Sequence, residues 1–384
     1  MKHNIFYLLS ILCLIGTMQA QYKIVGYYPN WAMYRNPAFK PHDINASLLT
    51  HINYAFVNYD ISGALKLFDS WADTDYRSNW NIQQPYYGNF RELFELKTKN
   101  PHIKTLFSVG GWSLSNNFSV MAENAQTRSN FVKSCIAFCD TYNFDGVDID
   151  WEFPGFAEHQ GRAIDKQNYT LLLQELYTAA KAHSPQLLVT IAAPASTQHL
   201  VNMEIERIHN YVDWINVMAY DFHGPWDKKT GHNAPLYGVA ADTLTVDAII
   251  SYYLSHGVPA QKLVLGLALY GRSFAQANST PDGLNSTFSG PGKGTTAEAG
   301  VYFYYDIEQN LAKKYTSYWD VLAQVPYLHD PVSKEFVSYD NNKSLAIKTD
   351  YIKKNKLGGA MLWELGGDIR PSWDALTLIN KSLL

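Results

Sequence analysis

The sequence predicts an α/β fold, a (β/α)8 barrel (TIM barrel) with a small α+β domain inserted between strand 7 and helix 7. Three observations carry this expectation. From Lys23 onward, short apolar runs rich in β-branched and aromatic residues alternate with longer amphipathic stretches. Eight runs of this kind can be traced, and an open doubly wound sheet would call for a glycine-rich phosphate turn, for which Gly110-Gly111 alone is too weak a sign. Chemically distinctive residues also collect where the runs end, at Trp31, Trp112, Glu152, Tyr220 with Asp221, and Trp363. Reacting groups of such barrels sit at the carboxyl ends of the strands.

The chain has 384 residues, enough for one large domain or two modest ones. Residues 1–20 read as a secretory signal peptide: Lys2, an apolar run from Ile5 to Gly16, then Thr17-Met18-Gln19-Ala20. Met18 is larger than the residue usual three places before a cleavage point. The run is too short to span a bilayer and no other is long enough, so a secreted protein is expected, periplasmic if the source has an outer membrane. Strands are expected at Ile24–Trp31, His51–Tyr59, Lys104–Trp112, Gly146–Phe153, Leu188–Pro194, Trp214–Phe222, Leu263–Tyr270 and Gly359–Leu365. The clearest helices between them are Thr127–Tyr142, Asp165–His183, Thr243–His256, Asn342–Asn355 and Pro371–Leu384. Two insertions break the rhythm. Asp60–Tyr87 is long and polar with Trp71, Trp80, Tyr86 and Tyr87, and suits a cleft wall. Gly271–Tyr339 is too long for a loop and has strand-like pieces at Val301–Tyr305 and Glu335–Tyr339. The barrel is thus expected to comprise 21–270 and 340–384, with 271–339 as the inserted domain.

Composition narrows the function. The formal charge is -4, and -5 once Lys2 leaves with the signal; no basic patch stands out, so nucleic acid is not an expected partner. Aromatic residues make up 14% of the chain, with 27 Tyr and 10 Trp, which serves a large core and equally a platform for sugars. Cys13 belongs to the signal, and Cys135 with Cys139 at helical spacing reads as two buried thiols. His199, His223 and His232 share no ligand spacing, so no metal is expected. Asn45, Asn117, Asn168, Asn278, Asn285 and Asn342 open Asn-x-Ser/Thr triplets, which matter only where the source glycosylates them.

The most informative stretch is Phe144 to Gly155. Read as a strand, Val147, Ile149 and Trp151 face one way while Asp148, Asp150 and Glu152 face the other. A solvated edge strand could look like this. A calcium loop needs Gly and Glu at spacings that are missing. Burial of three neighbouring carboxyls instead disfavours ionisation of each and suits acid catalysis, with Glu152 nearest the open end.

This run resembles the Asp-Gly-x-Asp-x-Asp-x-Glu signature of the family 18 glycoside hydrolases, the chitinases. Gly26-Tyr27-Tyr28-Pro29-Asn30-Trp31, Ser108-Val109-Gly110-Gly111-Trp112, Met218-Ala219-Tyr220-Asp221-Phe222-His223-Gly224 and Met361-Leu362-Trp363-Glu364 are similar to its first, third, sixth and eighth strands. Tyr270-Gly271-Arg272-Ser273-Phe274 is similar to the entry of its insertion domain. The resemblance implies hydrolysis of β-1,4 links between N-acetylglucosamine units with retention, the substrate's acetamido group acting as nucleophile. It implies Glu152 as general acid and base, Asp150 as acceptor from the acetamido N–H, Asp148 sharing a proton with Asp150, and Tyr220 donating to the acetamido carbonyl. From spacing alone, a core role for Tyr220 is as good. Asp221 and Met218 would line the pocket, Trp363 would lie under the attacked sugar, and Tyr27 and Trp112 would line that floor or the adjoining subsite. Arg272 would meet the sugar or form a structural ion pair. Asp145 is expected to be structural, and Trp151 and Trp214 to be core. The partner implied is chitin or its oligosaccharides, with no cofactor and a monomeric protein. An endo-β-N-acetylglucosaminidase acting on N-glycans and a non-catalytic chitin-binding lectin are the rival readings.

Overall fold

The structure, a computed structural model, describes residues 22–77, 83–239 and 243–384. The expected signal peptide and Trp80 lie outside the described residues. Eight parallel strands close on themselves: β1 (Lys23–Pro29), β2 (His51–Tyr59), β3 (Lys104–Gly110), β4 (Gly146–Asp150), β5 (Leu188–Pro194), β6 (Trp214–Met218), β7 (Leu263–Ala268) and β8 (Gly359–Trp363). Each pairs with its neighbour in chain order, and β8 returns to β1 with Lys23 opposite Gly359. The barrel is therefore closed, and the expectation of an eight-stranded α/β barrel holds. A short strand, Leu65–Leu67, runs antiparallel along β2 inside the first insertion.

Alternation along the strands sorts side chains between two cores. Val147, Ile149 and Trp151 turn outward into a layer shared with the helices, where Trp151 stacks on Phe118 at 5.1 Å. Trp214 turns inward and packs with Val25, Tyr27, Leu106 and Val264. Both tryptophans are core, as the sequence suggests. The outer layer rests on helices such as Ala125–Tyr142, which starts at Asn124, whose side chain accepts from the Gln126 N–H, and stops at Asn143 in the left-handed region. Cys135 and Cys139 are buried on it as free thiols. Asp145 takes Lys97, Lys104 and the Thr105 N–H, a structural use.

The strands are shorter than expected. β1, β3, β4, β6, β7 and β8 end two to four residues early, before Trp31, Trp112, Glu152, Tyr220, Tyr270 and Leu365. The chain leaves the sheet just where these side chains begin, so apolar and aromatic character persists past the last ladder bond. At β3 the exit depends on glycine. Gly110 has φ +110 and a Cβ there would lie 2.2 Å from the Asp150 carbonyl oxygen, while one on Gly111, at φ +80, would meet the Phe56 ring at 2.5 Å. Cis peptide bonds occur at Ala55–Phe56, Glu152–Phe153 and Trp363–Glu364.

Between β7 and the helix Asn342–Lys354 stands an antiparallel sheet. Tyr270–Ala275 is flanked by Gly290–Pro291 and Val301–Phe303 on one edge and Phe336–Ser338 on the other, followed by Val325–His329 and Thr316–Asp320. Side chains tie this lobe to the barrel, His232 with Asp320 at 2.9 Å among them. Arg35, after β1, pairs with Glu364 after β8 and lies 4.6 Å over the Phe303 ring. Where the chain re-enters the barrel, Lys348 and Asp340 form a fully buried pair at 2.6 Å, and Lys348 also donates to the Ala234 carbonyl.

Candidate active site

Inside the carboxyl end of the barrel the interior core becomes polar. Register places Ser108 of β3 and Thr190 of β5 on either side of Asp148 of β4. The Asp148 carboxyl is closed off from solvent and receives four donors: Tyr27 and Ser108 hydroxyls on one oxygen at 2.7 and 2.9 Å, and Thr190 and Asn216 on the other at 2.5 and 3.3 Å. Burial raises its pKa while these hydrogen bonds oppose the rise.

Asp150, one step along the same face, is 3% exposed, and its Oδ1 has no hydrogen-bond partner among the described residues. Burial, then the charges of Glu152 and Asp148, push its pKa well above the usual carboxylate range. No hydrogen bond joins Asp148 to Asp150 among the described residues. Glu152 stands just beyond the strand, half-buried, with its carboxyl pushed up to about 8 by burial and by the neighbouring charge of Asp221, against a hydrogen bond from the Trp112 main chain. Its own main chain is fixed at both ends. The Glu152 N–H donates to Ser115 Oγ at 2.8 Å, and its carbonyl accepts from His159 Nδ1. A carboxyl that keeps its proton near neutral pH beside an opening can deliver it to a leaving oxygen.

Tyr220 is 9% exposed and among the described residues its hydroxyl meets only the Met361 sulfur, at 3.9 Å, so it retains a strong donor for another oxygen. Tyr27, Met218, Tyr220 and Trp363 share one interior cluster. Trp363 meets Tyr27 at 5.5 Å and lies near-parallel to Phe56 at 5.9 Å, with Trp31 beside it at 6.5 Å. Trp112 is elsewhere. It is 53% exposed and packs on Phe156 and His159, outside that cluster.

Asp221 takes a left-handed conformation, φ +58, and its N–H donates to the Asn233 side chain at 3.1 Å. One of its oxygens accepts from the Tyr270 hydroxyl at 2.6 Å and from Arg272 Nε. Arg272 also pairs with Glu298 at 2.8 Å and lies over the Trp226 ring. Of its two expected uses, the ion pair is the one the structure shows. Ser108, Thr190, Asn216, Ser115 and His159 are site neighbours that motif reading missed; the inward alternation of β3, β5 and β6 was the available signal for the first three. His223 pairs with Asp227 and His232 with Asp320, while His199 stacks on Phe153. Among the described residues no group of three or more His, Cys, Asp or Glu is arranged to hold a metal, and no helix is long and apolar enough to cross a membrane.

A closed parallel barrel with a buried acid row at its carboxyl end, a raised glutamic acid last in that row and rings around it defines a glycoside hydrolase. Residues 23–368 match the glycosyl hydrolases family 18, and the chain belongs to that family. It is 43% identical to chitinase A1 of Niallia circulans over 90% of its own length and 56% of that protein's, so it spans little more than half of that relative. Among solved structures it is similar to chitinase ChiA74 from Bacillus thuringiensis, with TM-score 0.88 and 38% identity, covering 94% of this chain and 70% of that one. It is also similar to the Ostrinia furnacalis Group IV chitinase in complex with allosamidin, with TM-score 0.86 and 34% identity, covering 94% and 98% of the two chains.

Proposed function

We propose that the protein is a secreted, monomeric, metal-independent chitinase that cleaves β-1,4 links between N-acetylglucosamine units with retention, by attack of the substrate's own acetamido oxygen. The observation that carries this reading is the division of labour along the acid row: Asp148 locked by four donors, Asp150 with an unpartnered oxygen, and Glu152 raised to about 8. Asp148 and Asp150 share one proton, and its passage to Asp148 leaves Asp150 ionised. Glu152 protonates the leaving oxygen. The Asp150 oxygen accepts from the acetamido N–H and offsets positive charge on the oxazolinium, and Tyr220 donates to the acetamido carbonyl to hold it for attack. Glu152, now ionised, then takes a proton from water as that water opens the ring, which returns the β-anomer. Trp363 and Tyr27 form the floor under the attacked sugar, with Met218 and Asp221 on the walls and Arg272 holding Asp221 in place.

Proton NMR of chitotetraose mixed with the purified protein, read before mutarotation, tests the reading. The β-anomer of the new reducing end is expected first. Line broadening without product would indicate a lectin, and release of intact glycans from a glycoprotein would indicate the N-glycan enzyme. Turnover of a substrate deacetylated at the cleaved position would overturn the acetamido mechanism.

A further inference from the structure

We propose that His159 is a specificity-determining residue for the sugar on the leaving-group side of Glu152, where its Nε2 accepts a hydrogen bond from a hydroxyl of the sugar resting on Trp112. This inference rests on the chitinase reading above. The attacked sugar occupies the pocket of Tyr27, Tyr220 and Trp363, so the sugar that departs lies across the general acid from it. There the protein offers Trp112, more than half exposed, with the His159 ring set edge-on to it at 4.3 Å and 67°. Phe156 closes the group, 5.3 Å from His159 and 6.0 Å from Trp112. An exposed indole held by two other rings is a firm platform for the apolar face of a pyranose, but a flat ring does not choose among hydroxyls.

The choice falls to the histidine. Its Nδ1 faces the Glu152 main-chain carbonyl, which has no proton to give, so Nδ1 carries the hydrogen. In the neutral ring Nε2 is then an acceptor, and it meets no hydrogen-bond partner among the described residues. The loop that carries it is fixed from beneath. Asp165, fully buried, accepts from the Gly155 N–H at 3.0 Å, the Arg162 N–H at 2.7 Å and the Ser119 hydroxyl at 2.6 Å. His159 is thereby placed beside both the acid and the platform before any sugar arrives.

The test must separate recognition by Nε2 from support of Glu152. His159→Asn retains an N–H where Nδ1 stands and removes the Nε2 side of the ring. The donor is 4-nitrophenyl chitobioside and the acceptor is added chitobiose. Both water and the acceptor then react with one intermediate, each giving its proton to the same Glu152 as its oxygen bonds to the anomeric carbon. The ratio of transfer to hydrolysis therefore reports the leaving-side sugar alone. We expect that ratio to fall about five- to tenfold in His159→Asn, the worth of one hydrogen bond. A ratio equal to wild type, whether or not donor consumption drops, would overturn the proposal, because a support role slows both products together. His159→Ala should show the same fall in ratio plus a slower donor consumption from the loss of the Nδ1 contact. Failure of the wild-type protein to consume the donor would instead count against the chitinase reading.

Discussion

Asp148 shows what a buried carboxylate needs. Each of its oxygens has two donors, drawn from four different strands, so removing one donor unbalances a closed set. Ser108→Ala takes away the donor at 2.9 Å while adding no bulk, and kcat with chitotetraose is expected to fall about tenfold with KM within a factor of two. Glu152→Gln keeps the shape and the main-chain contacts to Ser115 and His159 but has no proton to give. Turnover should fall at least about a thousandfold while calorimetric binding of chitotetraose persists; equal loss of both would make Glu152 a folding residue. Its pKa also has a thermodynamic consequence. A carboxyl raised to about 8 binds its proton more tightly folded than unfolded, so the stability linked to it is full below the ordinary glutamate range and is lost as pH rises through 8. Glu152→Gln removes that loss. Its Tm relative to wild type should therefore be higher at pH 8.5 than at pH 4, and a pH-independent difference would contradict the shift. The acid row itself was legible in the sequence, because period-two alternation sends Asp148 and Asp150 inward and Ile149 and Trp151 outward. Its partners were not. Ser108, Thr190 and Asn216 become neighbours of Asp148 through barrel register, which a single sequence does not carry.

Elements behave differently from residues in this respect. The helix Asp165–His183 was legible to both ends, because its apolar spacing and acidic first turn leave little choice. Strand ends were overrun, because the rings past them are apolar for the sake of the site rather than the sheet. The first insertion was expected as a cleft wall from its composition. Its π-helical turn, Trp71–Asp75, presents Trp71 stacked on Tyr34 at 5.8 Å, and the buried Asp73, pushed up to about 6 by burial, anchors it to Asn30 and Tyr54. The loop after β4 is held in a comparable way by Asp165. Asp165→Ala would leave the buried Ser119 hydroxyl and the Gly155 and Arg162 N–H groups without their acceptor and should cost about 2–4 kcal/mol by urea denaturation. It should also expose residues 153–162 to limited proteolysis, which Asp145→Ala, at the other end of β4, should not do.

The whole molecule is a barrel and a lobe, and the chain returns from the lobe into the barrel at a buried ion pair. At the buried Lys348–Asp340 pair, Asp340→Ala would strand an ammonium away from water and is expected to cost about 3–5 kcal/mol. Adding Lys348→Met should recover most of that, and a second loss on top of the first would mean that the pair is not the reason. Architecture at this scale was the most legible of all. Eight apolar runs and two interruptions suffice to give a closed sheet and a lobe after its seventh strand. The joints were not legible, since Arg35 meets Glu364 from the far end of the sequence. Closure through β1 and β8 has a consequence for synthesis. A chain made from its amino end lays down Tyr27 early and has all of Asp148, Asp150, Glu152 and Tyr220 in hand with more than a third of its length still to come. Throughout that interval one edge of Lys23–Pro29 has no neighbour, and neither Trp363 nor Glu364 exists to meet Tyr27 and Arg35. A polypeptide stopped anywhere between Tyr220 and Gly359 would hold the complete acid row in an open sheet, so the barrel around that row closes only with the last strand.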